Sequence, residues 1–233
     1  GLPPQQAMTE GATTLQYPVR LHVIGSYLSQ LGAMLAVLSL PAAAVACYSG
    51  EFRVGLSYVL ISGGLAATAW AGRFLQKAES IQTNEGMVIV GLAFVLTPVF
   101  MSIPLIVGGL TPEDAIFEAV SAITTTGLST LATVEGASST FLFERAWLQW
   151  CGGLGISVLS VALLMGHHAA ARRLANPISE ANFITTARTQ ARQILRVYVI
   201  LTATGTLALS LVLGDTFLPL VTMLSTLSTG GFS

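Results

Sequence analysis

Five stretches of this chain are long and apolar enough to cross a bilayer: Leu21–Cys47, Val54–Ala71, Met87–Gly108, Ala146–Gly166 and Val197–Leu213. A span needs ~20 apolar residues, because a helix must reach across ~30 Å of hydrocarbon. Lipid offers backbone groups no partner, so such stretches fold as helices. The chain is 53% hydrophobic and 9% charged, where a soluble domain carries about 25% charged residues. The expected fold class is therefore an all-α membrane protein crossing the bilayer several times. A net charge of −1 gives no support to nucleic-acid binding. No cleavable leader is evident before the first apolar stretch.

The basic residues set the orientation. With five alternating spans, Arg20, Arg73, Lys77, Arg172, Arg173, Arg188, Arg192 and Arg196 fall on one side, and only Arg53 and Arg145 on the other. Basic residues collect on the cytoplasmic side, so the larger group is placed there. The outer side receives Glu51, Glu113, Asp114, Glu118, Glu135, Glu144 and Asp215. Singly these acids read as solvated loop residues. Together they would bias the field toward cations.

The chain also repeats itself. Aligning Gly127 with Gly230 gives an offset of 103 residues and sets Thr126 on Thr229 and Thr125 on Ser228. The unit reads span, short apolar segment, hydroxyl-glycine turn, span. One copy runs from about Gly86 to Gly166, and a second reaches its turn by Ser233 without a closing span. The expected divisions are a cytoplasmic segment over 1–19, a two-helix hairpin over 20–85, a first repeat over 86–175 and a second over 176–233. The chain is expected not to conduct by itself.

The short segments, 115–123 and 217–227, cannot span. Thr111-Pro112-Glu113-Asp114 has the marks of a helix start: a capping hydroxyl, a first-turn proline and acids near the positive dipole end. Asp215 is placed to cap the second segment, with Pro219 near the limit of its first turn. Short helices descending from the outer face would aim their negative C-terminal ends at the turns, which favours a cation there. Irregular backbone at membrane depth must be buried in protein or line a wet cavity. A hydroxyl-glycine turn in that position can aim carbonyl oxygens at a dehydrating cation. Ordinary extracellular turns are the competing reading, weakened by two copies at equivalent places.

Phe117-Glu118-Ala119-Val120-Ser121-Ala122-Ile123-Thr124-Thr125-Thr126-Gly127 resembles the first pore loop of the TrkH/KtrB potassium transporter family. Leu148-Gln149-Trp150-Cys151-Gly152-Gly153-Leu154-Gly155-Ile156 is similar to the start of the helix that follows it. Ser228-Thr229-Gly230-Gly231-Phe232-Ser233 resembles the second loop. The resemblance covers the chain from Arg20 onward. It implies a two-helix hairpin followed by four helix–pore loop–helix repeats around one potassium pathway. It further implies a homodimer, a cytoplasmic nucleotide-binding regulator of the TrkA/KtrA type, and a bacterial inner-membrane location. The filter maps onto Thr124, Thr125, Thr126, Gly127 and Leu128, then onto Leu227, Ser228, Thr229, Gly230 and Gly231. Potassium contacts map onto Thr125, Thr126, Ser228 and Thr229. The transported ion is the only cofactor expected. Two of the four repeats lie outside this chain.

Other residues carry less. Gly152, Gly153 and Gly155 read as small residues for close helix packing, since no strand precedes them and no phosphate-loop lysine follows. Trp147 and Trp150 are expected at the outer membrane interface. Gln149 faces either protein or surface. Cys47 and Cys151 read as buried structural thiols. His167 and His168 read as a solvated pair. Arg188, Arg192 and Arg196 stripe one helix face, as a membrane-edge anchor or a regulator docking face. No nucleophile–base pair or metal-ligand cluster is visible, so an enzyme is not expected. Two other readings remain open: a non-conducting half-length interaction module or truncated remnant, and a secondary transporter with broken helices. The second fits poorly, because the repeats run parallel rather than inverted.

Overall fold

The computed structural model describes residues 21–74, 83–131, 133–134, 136–173 and 180–231; the side chains of 21–23, 83–85, 87 and 161–188 are outside that description. Among the described residues the order is α1 Leu21–Leu38, α2 Leu40–Tyr48, α3 Phe52–Ala71 with a 3-10 turn at Gly72–Phe74, α4 Thr83–Val107, α5 Pro112–Ile123, α6 Ser139–Arg173, α7 Glu180–Leu213 and α8 Phe217–Leu227. They contain no strand. The fold is the all-α membrane architecture expected.

Among the described residues four helical segments are long and apolar enough to cross a membrane: Ile24–Tyr48, Phe52–Phe74, Val88–Val107 and Thr189–Leu213. They match four of the expected spans. The remaining one, 146–166, lies within α6, whose 35 residues reach roughly 50 Å at ~1.5 Å per residue. Its side chains beyond Ser160, and with them His167, His168, Arg172 and Arg173, lie outside the described residues.

The first span is not one unbroken helix. Pro41 has no N–H to give to the preceding turn, and the helix parts at Ser39 between α1 and α2. The break is sealed rather than left open. The indole N–H of Trp147 donates to the Leu38 carbonyl at 2.7 Å. Ser39 and Ser62 hydroxyls meet at 2.5 Å, joining the break to α3.

α6 is the axis of the packing. α1 and α3 pair as a hairpin, α5 lies between α4 and α6, and α8 lies between α6 and α7. The largest buried cluster centres on Phe143, Ala146, Leu148 and Trp150 of α6 and reaches Tyr58, Met101, Ala122, Tyr198 and Leu224 from five other helices. An aromatic run passes through it. Phe143, Trp147, Trp150 and Tyr198 follow at centroid spacings of 6.0, 5.2 and 5.4 Å. Both tryptophans pack against neighbouring helices: Trp147 is half-buried, and Trp150 is 7% exposed and donates to Thr202 Oγ1 at 3.0 Å. Cys47 departs from expectation and is exposed, while Cys151 is partly buried. An apolar stretch in a membrane protein can face outward, so apolar neighbours in sequence do not bury a thiol.

Candidate functional site

α5 begins as its sequence dictates. Thr111 is the N-cap and accepts the Asp114 N–H at 3.2 Å, with Pro112 in the first turn. At α8 the same task falls to Asp215. Its carboxylate accepts the N–H groups of Thr216, Phe217 and Leu218 at 2.7, 3.3 and 3.1 Å. Those bonds, Leu218 first, hold its carboxyl below the ordinary carboxylate range. Pro219 takes the third position of α8, where its missing N–H has no helical partner to lose.

Both short helices end the same way. Thr124 closes α5 in right-handed geometry; Thr125 then turns left-handed at φ 59°, and Gly127 follows at φ 76°. Ser228 closes α8; Thr229 turns at φ 58° and Gly231 at φ 72°. The Thr125 N–H donates to Ala122 and the Thr126 N–H to Ser121, both at 2.9 Å. The Thr229 N–H donates to Thr226 at 2.9 Å and the Gly230 N–H to Ser225 at 3.2 Å. This is the Schellman ending of a helix, normally built on glycine at the left-handed position. Threonine stands there in both copies. A left-handed β-branched residue costs about 1–2 kcal/mol, and both turns carry that cost at matching places.

The geometry corrects the repeat register. Thr125 pairs with Thr229 and Gly127 with Gly231, an offset of 104 residues rather than 103. Ser228 is therefore the partner of Thr124, a helix-end residue, and the partner of Thr126 is Gly230. The expected ion contacts at Thr125 and Thr126 correspond to Thr229 and Gly230, not to Ser228 and Thr229. A doublet of glycines gives sequence alignment two choices; only the backbone angle shows which one does the turning.

The two turns meet at α6. A side chain on Gly127 would collide with the Gly230 carbonyl. Gln149, fully buried, donates its amide to that carbonyl at 2.9 Å. A side chain on Gly230 would in turn collide with the Gln149 amide. One helical turn later, Gly152 lies against the Ile123 carbonyl at the end of α5, while Gly153 faces Ser228 and the Tyr198 hydroxyl. Adjacent glycines on α6 thus seat the ends of both short helices. The Tyr198 hydroxyl donates to the Leu227 carbonyl at 3.3 Å. The expected close packing at Gly152 and Gly153 is present, with helix ends as its partners. Gly155 has nothing close to it.

The first turn has a further brace. Glu118, wholly buried, accepts from Ser129 Oγ at 2.6 Å and from the Thr130 N–H at 2.8 Å, and pairs with Arg145 Nε at 3.0 Å. The Arg145 guanidinium also lies 4.9 Å from the Phe141 ring centre. Ser121 donates to the Leu128 carbonyl at 2.6 Å. Thr124 spends its one hydroxyl proton on Val120 at 2.7 Å, so it accepts from Thr126 at 2.8 Å. Glu118, Glu144 and Arg145 are all buried and are not the loop charges that the sequence implied. Glu113 and Asp215 remain exposed; Glu135 lies outside the described residues.

The model of the TrkH family of cation transport proteins matches residues 59–233. The chain belongs to the TrkH family of cation transport proteins. It is 32% identical over 163 residues to the Trk system potassium uptake protein TrkH of Halomonas elongata, covering 66% of this chain and 34% of that one. It is 30% identical over 192 residues to the TrkH of Escherichia coli K12, covering 79% and 40%. The crystal structure of the potassium transporter TrkH from Vibrio parahaemolyticus superposes with a TM-score of 0.75 at 25% identity, covering 92% of this chain and 44% of that one. The chain thus spans less than half the length of these relatives.

Proposed function

We propose that this TrkH-family chain supplies the first two oxygen-lined turns of a potassium uptake pathway, with hairpin 20–85, first repeat 86–175 and second repeat 176–233. The observation that carries the reading is the matched pair of strained turns, packed against each other at Gly127 and Gly230. Relatives that are potassium uptake proteins give the ion.

The mechanism follows from the backbone. Each short helix ends at its turn, and the negative end of its dipole favours a cation there. Positive φ at alternate residues, 125 and 127, then 229 and 231, winds the chain into a form open to few residues but glycine. Carbonyls of Thr125, Thr126, Thr229 and Gly230 replace the hydration shell of the ion. A carbonyl has two lone pairs, so Gly230 can accept from Gln149 and still face the ion. Thr124, Leu128, Leu227 and Ser228 frame the turns, and Gly127 and Gly231 bend them. Flow follows the electrochemical gradient into the cell. The whole assembly is a dimer in the bacterial inner membrane, with a cytoplasmic nucleotide-binding regulator facing Arg192 and Arg196, both exposed on α7; the Arg188 side chain lies outside the described residues.

The test is growth on limiting potassium in a host lacking its own uptake systems. The chain is expressed alone and joined to the remaining half of the Escherichia coli relative. The joined protein should restore growth and the chain alone should not. Restored growth that survives Gly127→Arg would sink the filter assignment.

A further inference from the structure

The turns leave one buried carboxylate unused. Glu144 is 2% exposed and Thr140 is 1% exposed. They stand four residues apart on α6 and so share a face. Glu144 lies beside the Tyr58 hydroxyl of α3 but leaves Oε1 open, and Thr140 Oγ1 has no hydrogen-bond partner among the described residues. Both line a cavity of about 210 Å³, together with Glu51, Ser138 and Gly108 at the end of α4. That volume is ample for an ion with several of its waters. The Ser138 hydroxyl donates to Glu51 Oε2 at 3.2 Å and so holds a second carboxylate at the cavity.

The charge balance there is one-sided. Among the described residues no basic side chain lines the cavity. Arg145, the next residue along α6, is paired with Glu118. The C-terminal end of α4 adds partial negative charge. A buried carboxylate needs a counter-charge or a proton. The donors are carboxylate and hydroxyl oxygens, which suit a hard cation rather than a soft one. No group of three or more acids, histidines or cysteines gathers among the described residues, so the site lacks the charge density that a divalent ion demands. None of residues 124–128 or 227–231 lines this cavity.

We propose that this cavity binds a hard monovalent cation of the sodium or potassium class, held by Glu144 and Thr140 with Glu51 as the outer carboxylate, away from the paired turns. The site is a second ion-binding place on the molecule, and its readout does not depend on transport.

Thermal unfolding of the purified chain in lipid nanodiscs tests it, in sodium, potassium or choline chloride at fixed pH and ionic strength. Wild type should melt a few degrees higher in sodium or potassium than in choline. Glu144→Gln should lose most of that difference, and Thr140→Val part of it. Glu51→Gln, at a partly exposed position, should raise the salt concentration needed for half the effect. Gly155→Ala, where there is open space, should leave the difference intact. Three results would overturn the proposal: equal melting in all three salts, an unchanged response in both glutamate variants, or a response lost in Thr125→Gly and kept in Glu144→Gln. The last would assign the ion to the turns instead.

Discussion

The two turns share a backbone and differ in what holds them. The first is tied by a buried ion pair: Glu118 grips Ser129 and Thr130 beyond the turn, and Arg145 of α6 grips Glu118. The second has neutral supports: Gln149 on the Gly230 carbonyl and Tyr198 on the Leu227 carbonyl. Position 222, which matches Glu118 in the corrected register, is Thr222. The strained turn is thus the repeated element, and the bracing is individual to each copy. Identical geometry can be held by unlike chemistry, because the helix-end hydrogen bonds are local while the braces come from α6 and α7.

The contrast can be broken in order of expected effect. Breaking one side of a buried ion pair is the severest change. Arg145→Met should destabilise the chain by about 3–5 kcal/mol, since Glu118 would be left buried and unpaired. Denaturation in mixed micelles would read it, and Glu118→Gln with Arg145→Met should recover much of the loss. If the single variant melts like wild type, the ion pair is not what holds the first turn.

Gly127→Ala comes next. It adds a clash with the Gly230 carbonyl and a left-handed side chain, together about 2–5 kcal/mol. It should also remove potassium uptake from the joined protein. Gly155→Ala, where there is open space, is the control and should be neutral.

Gln149→Leu should act first on the second turn, whose carbonyl it holds. It removes one hydrogen bond and leaves a buried carbonyl acceptor short of a donor, costing about 1–3 kcal/mol. The sharper readout is discrimination between potassium and sodium. A fall in discrimination with transport retained would mark Gln149 as a positioning residue, and an unchanged ratio would reduce it to packing.

Thr125→Gly and Thr229→Gly should each relieve about 1 kcal/mol of strain. Stability should hold or rise while ion discrimination falls. A loss of stability in either would show that the threonine side chain, rather than the turn, is what the fold needs.

The smallest effect separates the helix starts. Thr111 caps α5 with a hydroxyl, and Asp215 caps α8 with a charge. The Asp215 carboxyl titrates below its ordinary value when folded. The unfolded chain therefore takes up this proton first as pH falls. The cap contributes fully above the usual carboxylate pKa of about 4, and its contribution is lost as pH drops through the lowered folded value. Asp215→Asn should flatten that part of the acid melting curve, and Thr111→Val should leave its shape unchanged.

Much of this was legible in the sequence because it is local. Apolar length gave the spans, Thr111 and Asp215 gave the helix starts, and hydroxyl-glycine strings gave the two turns within one residue of their true register. The register slipped because Gly230 and Gly231 look alike in sequence but serve unlike purposes. Gly231 takes the positive φ; Gly230 is small because Gln149 presses on it. Likewise Trp147, Trp150, Glu118, Glu144 and Arg145 carry no local mark of burial. Their partners lie on other helices, up to 109 residues away for Trp147 and Leu38.

The sequence by itself determined an all-helical membrane chain with a duplicated short-helix-and-turn unit, because hydrophobic length, caps and turn residues act within a few positions of one another. Only the tertiary structure decided that α6 lies between the two units, with Gln149, Gly152 and Gly153 setting how closely the turns approach. That approach depends on steric contact and buried hydrogen bonds between helices distant in sequence, which no short stretch of residues encodes.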